Sequence, residues 1–266
     1  MKTQVYSIEG TAGKEVELPE MFNEKVRPDL INRAFLALRS NTYQIKATKL
    51  LAGMRTSAAY FGRRQKVYRT SMNIGRARLP KIKLSGGRLG EVRRVPHSRG
   101  GRRAHPPKAE KIIVEKINKK ENRKAIRSAI AATASKNYVQ KRGHKITSIK
   151  QLPLVIEDKF QEVNKTKQVR EILSKLKVDE DMKRAENKNI RAGRGTTRGR
   201  KYKKKKSALI VINEDKGLRK AAKNIPGIDI KLTKELNAEV LAPGGNPGRL
   251  TIYTESSLKE LNKLFK

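Results

Sequence analysis

Cysteine is absent from this chain of 266 residues, which excludes disulfides, a thiol nucleophile and any zinc site built on thiolates. Long apolar runs are absent too. The longest strongly apolar stretch, Ala208 to Ile212, is far short of the roughly 20 residues that span a bilayer as a helix. The N-terminus, Met1-Lys2-Thr3-Gln4-Val5-Tyr6, lacks the apolar segment of a secretory signal, so the chain reads as soluble and intracellular, with no membrane partner. Acid is in short supply: 25 Asp and Glu face 64 Lys and Arg, a formal net charge of +39. Such an excess repels itself in a compact fold and calls for a polyanion. Nucleic acid fits, because each phosphate neutralised releases condensed counterions. The 36 % of hydrophobic residues suffices for a core, although it lies below the usual globular share.

The positive charge is concentrated in two segments. Residues 55–108 hold sixteen Lys or Arg and one acid, Glu91. Residues 188–206 hold ten bases and no acid. Together they carry +25 of the +39, while charges elsewhere are mostly mixed in sign. The first segment shows no sustained helix or strand period, and its glycines and prolines punctuate the backbone. A loop of this length in a compact domain is functional or disordered, and with almost no large apolar side chain in its middle it needs an outside partner to order it. Tyr60, Phe61 and Tyr68 lie near its base. Drawn out and back, it reaches at most roughly 90 Å from its anchors, a reach suited to penetrating folded RNA.

Guanidinium forks bind phosphate bidentately and stack on bases, and a run of such charges otherwise reads as a solvated face. The arginine content favours RNA contact. The candidate RNA-binding side chains of the first segment are Arg55, Arg63, Arg64, Lys66, Arg69, Arg76, Arg78, Lys81, Lys83, Arg88, Arg93, Arg94, Arg99, Arg102, Arg103, His105 and Lys108. Those of the second are Arg191, Arg194, Arg198, Arg200, Lys201, Lys203 and Lys204, within a patch that runs on to Lys206.

The flanking sequence is periodic. Ile31, Phe35, Leu38 and Ile45 define one face of a helix from about Pro28 to Leu51, with Pro28 in its first turn. Asn118 and Glu121 have capping-box spacing ahead of Ile126, Ala129, Ile130 and Thr133. Val169, Ile172, Leu173 and Leu176 mark a third helix. Leu258, Leu261, Leu264 and Phe265 mark a fourth, with Ser257 and Glu260 at capping-box spacing. Short apolar runs at Leu154–Ile156, Ala208–Ile212, Ile228–Ile230 and Leu250–Tyr253 suggest buried parallel strands, with a short helix over 217–224 completing a βαβ unit. The expected fold is α/β: a doubly wound, mostly parallel sheet with helices on both faces. Residues 1–54 and 109–266 form one globular domain, 55–108 is a long loop inserted in it, and 188–206 is a second RNA-binding segment.

An α/β sheet invites a nucleotide-site reading. Gly193, Gly195 and Gly199 are preceded by no expected strand and followed by a lysine run, whereas a dinucleotide fingerprint needs a strand before and an apolar helix after. Gly86-Gly87-Arg88-Leu89-Gly90 fails on the same ground, and both read better as tight turns against RNA phosphates. His97 and His105 lie in the cationic loop without carboxylates at dyad or metal spacing, and all three histidines, His144 included, read as polar contacts to RNA or solvent. Glu214 and Asp215 follow a strand, where ligand groups often sit, but a cap for the next helix is the simpler role. No catalytic set, metal site or cofactor site emerges. The rival readings are a nucleic-acid-processing enzyme, which needs such a set, and a general DNA-compacting protein, which predicts tight duplex binding without preference for folded RNA.

Several short landmarks carry a resemblance. Arg93-Arg94-Val95-Pro96 and Arg103-Ala104-His105-Pro106-Pro107-Lys108 are followed in order by Arg191-Ala192-Gly193-Arg194-Gly195 and Asn213-Glu214-Asp215. Asn224-Ile225-Pro226-Gly227-Ile228, Leu241-Ala242-Pro243-Gly244-Gly245 and Tyr253-Thr254-Glu255-Ser256 complete the set. Together they resemble the archaeal and eukaryotic branch of the universal large-subunit ribosomal protein of the L-four family, and the missing long C-terminal extension makes the chain look archaeal. The resemblance implies a structural, non-enzymatic protein of the cytoplasmic large ribosomal subunit that binds large-subunit rRNA and supports assembly. It also implies a long loop threading inward, whose tip, placed here at Gly75 to Arg94, helps form the nascent-peptide exit tunnel. The implied partners are that rRNA, neighbouring large-subunit proteins including the L-twenty-two family at the tunnel, and the nascent peptide.

Overall fold

A computed structural model describes residues 1–60, 62, 72 and 75–265. Two compact units emerge, one from Met1–Thr42 together with Val114–Lys266, the other Tyr43–Ile113. In chain order the strands are β1 (Lys2–Tyr6), β2 (Ala12–Glu17), β3 (Lys81–Lys83), β4 (Leu89–Val92), β5 (Leu154–Ile156), β6 (Asn189–Ile190), β7 (Tyr202–Lys203), β8 (Leu209–Ile212), β9 (Asp229–Leu232) and β10 (Thr251–Thr254). The helices are α1 (Pro28–Ser40), α2 (Lys119–Ala134), α3 (Lys136–Lys141), α4 (Thr166–Lys175), α5 (Asp179–Glu186), α6 (Leu218–Ala222), α7 (Ala238–Leu241) and α8 (Glu255–Leu264).

The larger unit is built on a six-stranded sheet of order β2-β1-β5-β10-β8-β9. All its pairings are parallel except β1 with β2. Strands β5, β8 and β10 are buried at every residue, which is why they read as continuous apolar runs rather than alternating ones. Their alternate side chains still serve two faces. Leu154, Ile156, Ile210, Ile212 and Ile252 join a cluster with Ile172 and Leu173 of α4 and Leu218 of α6. Val155, Leu209, Val211 and Tyr253 join another with Ile31 of α1, Ile130 of α2 and Leu258 and Leu261 of α8. Tyr253 is fully buried, packs edge-on against Phe22 at 5.6 Å between centroids, and places its hydroxyl 3.4 Å from Thr133 Oγ1.

The βαβ unit formed by β8, α6 and β9 follows the sequence expectation, and Asp215 caps its helix by accepting from the amides of Gly217 and Arg219 at 3.1 and 3.2 Å. The β1–β2 hairpin was not expected, because Thr3 and Val5 are its only buried residues and leave too weak a period to read.

Two helix boundaries, those of α1 and α8, differ from expectation, and at α2 the cap residue stands where expected but makes no side-chain cap bond. Helix α1 stops at Ser40 rather than near Leu51. Ser40, Asn41 and Thr42 supply side chains that compete with the helical ladder: Ser40 Oγ donates to Ala37 O at 2.7 Å and accepts from the Glu115 amide, while Thr42 Oγ1 donates to Arg39 O. The buried face is therefore Ile31, Ala34 and Ala37, and Ile45 stands 66 % exposed. At α2, Asn118 precedes the helix without a side-chain cap, and Glu121 instead meets Arg33 at 3.1 Å. Helix α8 starts at Glu255, two residues before the expected cap, so Ser257 lies inside it and donates to Thr254 O at 2.7 Å.

The early stop of α1 has a measurable consequence. Ile31→Ala removes a fully buried side chain and is expected to cost about 2–5 kcal/mol. Ile45→Ala, at a position that periodicity alone placed on the same face, is expected to stay within about 0.5 kcal/mol. Urea unfolding of the two variants separates them; equal losses would restore the longer helix.

Candidate nucleic-acid interface

The unit Tyr43–Ile113 carries nineteen Lys and Arg against Glu91 and Glu110. Among its described residues only Ala58 and Lys81 are buried, and none of the three apolar clusters of the chain includes a residue from it. Its order comes from backbone bonding instead. Where no strand was expected, β3 and β4 pair as an antiparallel hairpin with Lys81 opposite Val92 and Lys83 opposite Leu89, and Ala59 exchanges both backbone hydrogen bonds with Lys81. The glycine-rich run read as a tight turn lies in this hairpin, with Gly86 at φ 67°. Lower down, the outgoing and returning limbs touch: a Cβ on Gly53 would stand 2.5 Å from Gly101 O and 2.7 Å from Arg102 N. No other residue type allows that approach at φ 76°.

The candidate residues of this unit fall into three groups. Arg63, Arg64, Lys66 and Arg69, with Phe61 and Tyr68, lie outside the described residues. Arg55, Arg76, Arg78, Lys83, Arg88, Arg94, Arg99, Arg102, Arg103, His105 and Lys108 are exposed. Lys81 and Arg93 hold the unit itself: Lys81 is 5 % exposed and its Nζ donates to Ala77 O at 2.6 Å, while Arg93 bridges Arg99 O and the Glu91 carboxylate, each at 2.8 Å. Arg94 adds a bond to Ala58 O at 3.3 Å from a left-handed backbone, φ 73°.

The second basic segment also forms a hairpin, β6 with β7. A two-residue strand thus does precede Gly193, but an antiparallel partner follows it where a dinucleotide site needs an apolar helix. Arg191 closes the loop, its amide donating to Lys201 O at 2.8 Å and its Nε to Arg200 O at 3.0 Å. Arg191, Arg194, Arg198, Arg200, Lys201, Lys203 and Lys204 are all exposed. Tyr202, half exposed, has Lys201 Nζ 5.7 Å and Lys188 Nζ 6.0 Å from its ring centre, cation–π geometry. Lys206 departs from the patch, since its Nζ is tied to both Asp229 oxygens at 2.8 and 2.9 Å.

A buried polar network anchors this hairpin to the sheet. Asp181, with no exposed surface, accepts from Ser207 Oγ at 2.6 Å, Arg184 Nε at 2.8 Å, His144 Nδ1 at 3.0 Å and the Lys145 amide at 3.1 Å. Burial pushes its carboxyl upward, but the donors from His144, Arg184 and Ser207 outweigh it and hold Asp181 well below the usual carboxylate range. Arg184 also donates to Lys206 O at 2.7 Å. Arg249, 1 % exposed, reaches Asp229 at 2.6 Å, Val240 O at 2.9 Å and Ser207 O at 3.1 Å. The sequence reading of His144 as a solvent or RNA contact is therefore corrected. It is 5 % exposed, and its carboxylate partner lies 37 residues further along the chain, too far for spacing to reveal. Among the described residues no group of three His, Asp or Glu stands together as a metal site would require, and no helix is long and apolar enough to cross a membrane.

Comparison with known proteins bears on these surfaces. A family model described as the Ribosomal protein L4/L1 family matches residues 16–264. The "Large ribosomal subunit protein uL4" of Methanocaldococcus jannaschii is 46 % identical over 267 residues, covering 100 % of both chains. The protein of the same name from Methanoculleus marisnigri is 47 % identical over 264 residues, 99 % of each. That from Sulfurisphaera tokodaii is 44 % identical, covering 100 % of this chain and 95 % of its own.

The His144–Asp181 pair sets a pH dependence. Burial lowers the His144 pKa, against the opposing pull of Asp181, so the folded chain holds this imidazole neutral. The unfolded chain regains the ordinary value of 6.5 and takes up a proton that the folded chain refuses. Stability therefore declines as pH drops below that value, by up to about 1.4 kcal/mol per pH unit. His144→Asn keeps a donor toward Asp181 and is expected to abolish this component. Urea unfolding at pH 7 and pH 5 reads the difference, and an unchanged pH dependence in the variant would refute the assignment.

Proposed function

The chain belongs to the Ribosomal protein L4/L1 family, in its archaeal type, and from that premise we propose that it binds large-subunit rRNA through two basic segments and supports assembly of the subunit. The family is one of structural ribosomal proteins rather than enzymes, and cytoplasmic ribosomes are the proposed location. One observation carries the RNA reading. The two segments that concentrate +25 of the net charge present nearly all their described arginines to solvent, on short hairpins and the chain beside them. Cations so arranged bind a polyanion through its backbone, and RNA shape rather than base sequence then sets the register.

On this reading the globular part is a doubly wound α/β body, and residues 55–108 are its inserted arm. The arm's tip, over Gly75 to Arg94, lines the nascent-peptide exit tunnel beside the L-twenty-two family protein and faces the emerging peptide. The β3–β4 hairpin supports this assignment, because it gives the tip a defined shape of its own while leaving Arg76, Arg78 and Arg88 exposed.

Binding of the full chain to large-subunit rRNA across a salt series tests the proposal. Replacing Arg76, Arg78, Arg88 and Arg99 together by Ala is expected to weaken binding and to flatten the slope of log K against log salt by roughly three. An unchanged slope would remove the arm from the interface. Equal affinity for duplex DNA would instead favour the compaction reading.

A further inference from the structure

One cleft of the larger unit stands out by the charge of its walls. It encloses about 680 Å³ and is lined by Lys141, Arg142, Arg184 and the four consecutive lysines ending at Lys206, with no Asp or Glu among the described lining residues. Two other cavities mix acids and bases in their walls. Lys141, Arg142 and Arg184 belong to neither basic segment; they come from the end of α3 and from α5.

The nearby carboxylates are already committed. Asp181 holds His144, Arg184 and Ser207, and Asp229 holds Lys206 and Arg249. Among the described residues Arg142 has only carbonyl partners, donating to Pro243 O at 2.7 Å and to Asn246 O. Its pKa is brought down to about 10, first by burial and then by the charges of Arg249 and Arg184. A guanidinium destabilised in this way is a cation without a counter-charge, and an entering anion relieves that repulsion.

We propose that this cleft seats a phosphodiester group of the RNA backbone, an inference that rests on the rRNA reading above. A phosphate brings the negative charge the walls lack and acceptor oxygens that lysine and arginine donors can share. The volume suits a nucleotide-sized group. The lysine run leads from the exposed β6–β7 hairpin straight into the cleft, so a strand gripped by the hairpin continues along the same charge.

The full chain carrying Lys141→Glu and Lys205→Glu tests the site, with Lys263→Glu on α8 as the control outside it. Dissociation constants for transcribed large-subunit rRNA are measured against salt, and circular dichroism checks that each variant is folded. The double variant is expected to lose about tenfold in affinity and roughly one to two in salt slope, while the control keeps the slope of the unaltered chain. Equal slopes in the double variant and the control overturn the cleft and leave the rRNA reading standing. If the unaltered chain fails to prefer rRNA over duplex DNA, that reading falls and the cleft with it.

A second arm identifies the source of the phosphate. The chain has no cysteine, so Asn246→Cys provides a unique thiol at the cleft for a tethered iron–EDTA radical probe. Discrete strand scission in bound rRNA is expected. Absence of scission, while inorganic phosphate shifts the backbone amide resonances of residues 141–145 and 203–206, would show that the cleft takes free phosphate only and would overturn the RNA assignment.

Discussion

A chain with a net charge of +39 faces one constraint before any other: its cations must be kept apart, or paired, until a polyanion arrives. The fold meets it by sorting. Strands β5, β8 and β10 are buried at every residue, and the helices that cover them contribute aliphatic faces. Many charges on the larger unit stand in pairs of opposite sign, such as Lys14 with Glu255, Arg39 with Glu239 and Arg219 with Glu235. Each exposed pair adds little stability, but together they offset much of the charge on that surface. Most of the surplus goes to Tyr43–Ile113 and to the β6–β7 segment, where, among the described residues, apolar burial is minimal and acids are nearly absent.

Sorting charge outward creates a second problem, because a cationic hairpin must still be fastened to an apolar sheet. Two carboxylates do this. Asp181 and Asp229 hold Arg184, Ser207, Lys206 and Arg249 around the point where the basic segment enters β8. Gly227 closes the same corner: its carbonyl accepts from the Ser207 amide at 2.8 Å, and a Cβ there would stand 2.6 Å from Ala185 Cβ. Buried ion pairs of this kind add little net stability over an apolar replacement, yet removing one partner costs about 3–5 kcal/mol. Their value lies in fixing where the hairpin emerges.

The parts of this architecture that could be read from sequence are those governed by short-range pattern. Continuous β-branched runs gave β5, β8, β9 and β10 within a residue or two, and the 3.6-residue period gave the buried faces of α2 and α4 and half of that of α8, where Leu258 and Leu261 are buried but Leu264 is exposed. Departures arose where tertiary partners overrode local signals. Ile45 sits in phase with Ile31, but Ser40 and Thr42 turn the chain first, helped by an amide 75 residues away. The capping boxes at Asn118 and Ser257 satisfied spacing, while their glutamates found lysine or arginine partners elsewhere. The candidate interface was legible as composition: arginine density marked both segments. Its geometry was not, because hairpin pairing, the burial of Lys81 and the link from His144 to Asp181 all depend on contacts that no local window contains.

The two basic segments therefore differ in kind, and the difference follows from what each can bury. The β6–β7 hairpin is short and leads into a central strand of the sheet, so the buried network sets its emergence point before any ligand is present. A preformed cationic surface loses little conformational entropy on binding. Among its described residues the unit Tyr43–Ile113 joins no apolar cluster, and their arrangement rests on backbone pairing, on glycine-permitted contact between its limbs, and on Arg93 and Lys81 bonded to carbonyls. On the reading proposed here, phosphates supply the remaining stabilisation, and part of the binding energy goes into ordering the arm. Such a division suits a protein that has to be positioned first by its body and completed later by its arm.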